Sequence, residues 1–289
     1  MAGVPTVPRL FLGEALRRLR AESGKTLDEA AAATGRNRIQ LIRVIDGKGT
    51  ITADELEQLL DFFGATPKQK RELLALGVEA RKRASRRPYT DLLPGAYERF
   101  TDLESMASEI WRYEVGEIPA LLQIPEYIEA QMMMADGVWW QSSWEERRNR
   151  ITFRLERQKL VMEAEQPKAI RFIITDDALR TPIGGTGIMT RQLEHILRVI
   201  DEHPNVTVQV LSATEPQNPA RSGGLILLHF GELLRPVGFL PVVYGPSTYF
   251  DEPEDTGPLM RVFGKLEGLA LSPDESRRLV ADLVKGRAT

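Results

Sequence analysis

Between Thr26 and Pro67 the chain repeats one local instruction: a residue that caps a helix N-terminus, a short run with apolar residues at helical spacing, then a glycine. Thr26 has Glu29 three residues on, able to reach back to the Thr26 backbone N–H, and Gly35 closes the segment. Asn37 is the next cap, for a helix running to about Asp46, and Gly47-Lys48-Gly49 stops it. Thr52 pairs with Glu55, with Ile51 and Leu56 set to staple that start, and Gly64 follows. Thr66-Pro67 opens another helix, because proline suits the first helical position, and Leu73, Leu74 and Leu76 supply its buried side. Upstream, Leu10, Leu12, Ala15, Leu16 and Leu19 recur at helical spacing over Leu10 to Glu22, and Gly24 ends that run. Five short helices in about 80 residues leave little choice but a compact all-α unit.

Within it, small Ala31 lets the second and third helices approach, Gly35 supplies the turn, and Leu41 and Val44 hold the third helix to the core. That spacing is a helix-turn-helix, with one face of the third helix free for a major groove. At 100° per residue, Ile45 falls on the Leu41 side, whereas Ile39 and Arg43 point nearly the opposite way, flanked by Gln40 and Ile42. An outward isoleucine has three readings: contact with a thymine methyl, cover by another protein surface, or an isolated exposed apolar residue.

Charge narrows the choice of ligand only locally. The chain of 289 residues carries 38 Lys and Arg against 41 Asp and Glu, a net charge of −3, so its overall field does not attract nucleic acid. Arg36, Arg38, Arg43 and Lys48 nevertheless cluster around the third helix, while Asp54, Glu55, Glu57 and Asp61 sit on the fourth. Lys68 to Arg87 is basic, read as a solvated helix end and linker or as an arm touching phosphates.

With no cysteine, disulfides, thiolate metal sites and cysteine nucleophiles are excluded. No apolar run approaches the roughly 18 residues of a membrane span, and the start lacks a signal-peptide pattern, so a cytoplasmic protein is expected. An apolar content of 42% and a length of 289 residues fit two folded domains. The boundaries expected are 1–83 for the helical unit, 84–88 for a linker and 89–289 for a domain of mixed α and β.

In that second part, Leu103 to Tyr113, Pro125 to Met134, Trp144 to Glu165 and Gly187 to Glu202 read as helices, with two more at the end, the last capped by Ser272, Pro273 and Glu275. Ala169 to Thr175, the alternating Val206, Val208 and Val210, Gly224 to Phe230 and Phe239 to Tyr244 read as strands. His195 and His203 lack the spacing of a helical metal pair, and Asp176-Asp177 reads as a helix cap. Gly184-Gly185-Thr186-Gly187 lacks the Gly-Lys-Ser/Thr ending of a phosphate loop, and no serine sits in a G-x-S-x-G elbow. No catalytic residue, metal or cofactor is therefore expected, and an enzyme is the lesser reading. Met133, Trp139, Trp140 and Trp144 form the densest soft and aromatic stretch, more often core or interface than pocket, and the place where an effector or partner would bind.

The stretch LGEALRRLRAESGKTLDEAAAATG, followed by NRIQLIRVIDG and ITADELEQLLDFFG, resembles the N-terminal domain of the xenobiotic-response-element, lambda repressor-like regulators. The family usually has Gln where this chain has Leu27, and larger apolar residues where it has Ala30, Thr34 and Arg36. EIPALLQIPEYIEAQ, RLERQKLV, RFIITDDALR, QLEHILRVIDEHPNVTVQVL and LEGLALSPDESRRLV resemble the domain of unknown function that follows such a unit in many actinobacterial regulators. There Ile124 stands where Thr usually precedes the helix-starting proline.

The resemblance implies a regulator of transcription that binds double-stranded DNA, with a small partner protein encoded nearby in an antitoxin-like pairing. The motif's usual use of paired half-sites makes a homodimer the expected state. Arg38, Gln40 and Arg43 are then expected nearest the bases, Thr26, Arg36 and Lys48 near phosphates, with Asn37 and Ile39 completing the surface.

Overall fold

The computed structural model describes residues 5–82, 88–139, 141–231, 234–242 and 245–287. In chain order the elements are α1 (Val7–Ser23), α2 (Leu27–Ala33), α3 (Arg38–Ile45), α4 (Ala53–Phe62), α5 (Pro67–Arg81), β1 (Tyr89–Asp91), α6 (Ala96–Met106) and β2 (Glu109–Glu114). A single 3-10 turn at Ala120–Leu122 leads to α7 (Pro125–Ala135), α8 (Trp144–Met162), β3 (Ala169–Thr175), α9 (Asp176–Arg180), α10 (Thr186–Glu202) and β4 (Val206–Leu211). Then come β5 (Leu225–His229), β6 (Val237–Leu240), β7 (Ser247–Phe250), α11 (Pro253–Leu269) and α12 (Pro273–Arg287).

The chain divides into two compact units, Met1–Met106 with Glu232–Asp255, and Ala107–Gly231 with Thr256–Thr289. Apart from Pro88, the expected linker 84–88 lies outside the described residues.

In the first unit the capped starts form as their sequences dictate. Thr26, Thr52 and Thr66 each accept the backbone N–H three residues on, and Glu29, Glu55 and Gln69 each reach back to the cap's own N–H. Each exchange satisfies two of the four orphan donors at a helix start. Gly24, Gly35, Gly47 and Gly64 take positive φ at the helix ends, where a side chain would be strained. Leu16, Leu41, Leu56, Leu59 and Leu60 are wholly buried between these helices, whereas Leu73 and Leu74 of α5 are only half-buried and Leu76 carries that helix's packing.

The same unit holds a small antiparallel sheet in the order β1-β7-β6, with Tyr89 opposite Tyr249 and Phe239 opposite Tyr249. Its aromatic residues pack on α1: Phe11 lies edge-on to Tyr249 with ring centres 5.2 Å apart. The Val7 N–H donates to Asp251 at 3.2 Å and Arg18 pairs with Asp102 of α6 at 2.8 Å. β1 and β7 are too short to show period-2 patterning, and β6 ends earlier than its sequence suggests; Val243 and Tyr244 lie outside the described residues.

The second unit is built on strands in the order β5-β2-β3-β4, parallel across β2, β3 and β4 and antiparallel between β5 and β2. Ile110 stands opposite Ile170, and Phe172 opposite Val208. The expected helix from Leu103 to Tyr113 is wrong in its second half. Residues 109–114 form β2, at the centre of this sheet, because Ile110, Trp111 and Tyr113 suit a strand paired on both sides and only Ala96–Met106 is helical. β4 is buried at five of its six positions rather than on alternate ones, as expected of a parallel strand covered on both faces. α10 and α12 pack together and against β4.

Candidate nucleic-acid interface

α3 is fixed from beneath by Leu41, Val44 and Ile45, all buried. α1 comes so close that a Cβ on Gly13 would overlap the Ile45 carbonyl, so glycine is required there for the two helices to meet. α2 docks through Ala30 and Ala31, and the hydroxyl of Thr34 is buried as it donates to the Ala30 carbonyl at 3.1 Å. The short side chains that set this chain apart from the usual pattern thus line the α2 side of a closed core.

The opposite face of α3 is open. Ile39 is 71% exposed, Arg38, Gln40 and Arg43 are exposed, and Ile42 is half-buried. Arg43 and Lys48 form no ion pair with the described residues. Arg38 reaches Asp28 only at 3.6 Å between two exposed side chains, which holds it weakly.

Four of the expected contact residues are engaged within the protein, Thr26 among them, whose hydroxyl caps α2 with Glu29. The Arg36 guanidinium donates twice to the Glu55 carboxylate, at 2.9 and 2.8 Å, tying the α2–α3 turn to the start of α4. Hydrogen bonds from Arg36 are the largest cause that holds the Glu55 carboxyl down at about 2, helped by the Thr52 N–H and hydroxyl and opposed by burial. Gln40 turns its side-chain oxygen back to the Asn37 N–H at 3.3 Å, while Asn37 accepts from the Gln40 N–H at 2.8 Å. Asn37 and Gln40 are therefore a capping box, and the same pattern at Thr26 with Glu29 was the signal from which Gln40's role was legible.

Beside this face lies an open recess that sequence reasoning missed, between the end of α1 and the start of α2. Arg20, Lys25, Thr26 and Arg38 line it, with Asp28 at its side. The Lys25 ammonium sits 5.2 Å over the Phe62 ring, and the buried Nε of Arg20 has no hydrogen-bond partner among the described residues. Arg20 reads as one of three basic residues on an amphipathic helix, and only folding turns it toward Thr26.

In the second unit, Met133, Trp139 and Trp144 are all more than half exposed, while Met132 packs inward; Trp140 lies outside the described residues. They form part of a surface, not a core. His195 shares a groove with Arg191, Arg198, Glu126 and Gln158, and burial, then the charge of Arg198, pushes its imidazole below the ordinary histidine range. Burial lowers His229 likewise, beneath the Trp111 ring.

Asp176 and Asp177 are not the cap of α9. Thr175 holds that position, and Asp176 instead accepts the Ala213 N–H at 2.8 Å and pairs with Arg180. Among the described residues no group of three or more His, Asp or Glu is placed to hold a metal ion. Among the described residues no helix is long and apolar enough to cross a membrane.

Residues 12–74 match a helix-turn-helix domain, which marks a DNA-binding regulator, and the match covers every expected DNA-contact residue. Residues 97–282, more than half of the chain, match a domain of unknown function, DUF5753. No curated protein and no solved structure matches the chain. With a helix-turn-helix over residues 12–74 and this domain over residues 97–282, the chain belongs to the DUF5753 family, in the architecture of a xenobiotic-response-element-like regulator.

Proposed function

We propose that this protein is a cytoplasmic, sequence-specific regulator of transcription that reads double-stranded DNA through α3, works as a homodimer, and is not an enzyme. The observation that carries the reading is the pairing of Ile39 and Arg43 on one exposed face of a helix whose other face is buried. An arginine with no ion pair among the described residues can donate twice to a guanine, and an isoleucine one turn away can meet a thymine methyl. Arg38 and Lys48, together with Arg20 and Lys25 at the recess, are the cations for flanking phosphates. Arg36 holds the turn through Glu55, and Asn37 and Gln40 shape the start of the reading helix.

Fluorescence anisotropy on the duplex upstream of the protein's own gene tests this. Arg43→Ala should weaken binding there about 5- to 150-fold, or 1–3 kcal/mol, and leave a scrambled duplex unaffected. Equal affinity of variant and wild type for both duplexes would sink the assigned face.

The exposure of Ile39 also supports a second reading, in which α3 is covered by a small partner protein in an antitoxin-like pair. Ile39→Glu separates the two: lost partner binding with unchanged DNA binding favours the interaction module. The part of the second unit near Met133, Trp139 and Trp144 is where an effector or partner would act. A ligand there changes DNA binding only by preferring one arrangement of the regulator.

A further inference from the structure

A groove in the second unit holds more hydrogen-bond donors than the fold uses. It lies between the start of α7, α8 and α10, and has a volume of about 310 Å³. Amide side chains fix its walls. Gln192 of α10 accepts the Ile124 N–H at 2.9 Å and donates to the Leu122 carbonyl at 2.6 Å. Gln158 of α8 donates to the carbonyls of Ala120 and Gln123 at 2.7 and 2.8 Å.

Arg191, His195 and Arg198 line the groove from α10, where their intervals of four and three residues set all three on one face. Arg191 reaches Glu126 only at 3.6 Å, between two exposed side chains. Arg198 forms no ion pair, and the half-buried His195 no hydrogen bond, with the described residues. α7 opens without a side-chain cap because Ile124 holds the cap position, and the Glu126 and Tyr127 N–H groups donate to no described residue. Gln123 also lines the groove and is 2% exposed. Its amide nitrogen donates to the Ile118 carbonyl at 2.7 Å, while its Oε1 has no hydrogen-bond partner among the described residues. A buried acceptor is costly to leave unpaired, and here it stands beside a set of unpaired donors.

We infer that this groove binds a small phosphate monoester, its phosphate seated at the start of α7 between His195 and Arg198. Free N–H groups and the positive end of the helix dipole favour an anion there, and the Arg198 fork matches phosphate oxygens. The donors come from two helices, so a group with three oxygens engages them all, where a planar carboxylate with two does not. Burial, then the Arg198 charge, keeps the His195 imidazole below the ordinary histidine range, so at pH 7 it is largely neutral and donates one N–H. A hydroxyl on the ester supplies the donor that Gln123 lacks. Binding stands on the groove alone; its use as an effector site rests on the regulator reading above.

NMR of the full chain tests it, because the chain has three histidines and the His195 imidazole can be followed among them. At constant ionic strength, inorganic phosphate and glycerol phosphate should each shift it saturably, glycerol phosphate at the lower concentration, and acetate should not. Arg191→Gln with Arg198→Gln should weaken binding about ten-fold or more, whereas Arg278→Gln, exposed on α12, should leave it unchanged. Ile124→Thr keeps every cation but supplies a hydroxyl to accept the Tyr127 N–H, as Thr26 does for Glu29 in α2, and should weaken binding several-fold.

No saturable shift, an equal response to acetate, or a double variant that binds as the wild type does would each overturn the site. Equal affinity for the two phosphates would overturn the ester, and unchanged affinity in Ile124→Thr would overturn the seat at α7. Anisotropy on the upstream duplex, with no ester present, is read in parallel. The double variant should bind that duplex as the wild type does; loss of that binding would assign these arginines to DNA and overturn the groove. A chain that binds glycerol phosphate but no DNA keeps the groove and sinks the regulator reading.

Discussion

Arg36 shows how a residue's chemistry is decided by what it meets. As a cation beside the third helix it belongs to the expected phosphate contacts, but the fold places it against Glu55, where each partner is more than two-thirds buried. Because the Glu55 carboxyl titrates at about 2 in the folded chain, below its ordinary value of about 4.3, the pair contributes stability above that range. The contribution is lost as pH falls toward 2. Arg36→Met should therefore lower the stability of the helical unit by about 1–2 kcal/mol at pH 7, and chemical denaturation repeated at falling pH should show the difference shrinking below about pH 4. An unchanged midpoint at pH 7 would return Arg36 to the DNA surface. Arg20 and Lys25 behave in the opposite way: neither forms an ion pair with the described residues, and both border the recess. Replacing both by Gln should reduce the slope of log affinity against log salt by about two, at little cost to sequence preference.

Among the elements, α1 and α3 depend on one another at Gly13. A methyl group there has no room against the Ile45 carbonyl, and backbone cannot yield as a side-chain tip can. Gly13→Ala should cost about 1–3 kcal/mol in spite of alanine's better helix propensity, measured as a lowered melting midpoint. A stabilised variant would show that the two helices are not packed this closely. The helices of the first unit were readable because their information is local: a cap, its partner three residues on, and a terminal glycine lie within one turn of each other. β2 was not, because Glu109–Glu114 becomes a strand through neighbours at Ala169–Ile174 and Leu225–His229, more than fifty residues away. Local pattern alone let the preceding helix run on through it.

At the scale of the molecule, the compact unit around the helix-turn-helix extends beyond the five helices to include residues 89–106 and part of 232–255. Phe11, Val7 and Arg18 of α1 make their partners there, in Tyr249, Asp251 and Asp102. A fragment ending at residue 83 would leave the Phe11 side of α1 in water. It should melt at a lower temperature than the first transition of the full chain when both are followed by circular dichroism. Equal midpoints would mean that the five helices are self-sufficient.

Sequence alone determined the capped helices, the buried Leu41 and Val44, and the outward pointing of Ile39 and Arg43, since all of these follow from helical periodicity and from groups only a few residues apart. It also determined the family resemblance, whose motifs run in order along the chain. Only the tertiary structure decided which cations are free, placing Arg36 on Glu55 and bringing Arg20 to Lys25 and Arg38, because ion pairing depends on distances between segments that no spacing encodes. It also decided which face of α8 is covered: the periodicity of a highly charged helix names its faces, but only packing against α7 and the Ala120–Leu122 turn selects the one that stays in solvent.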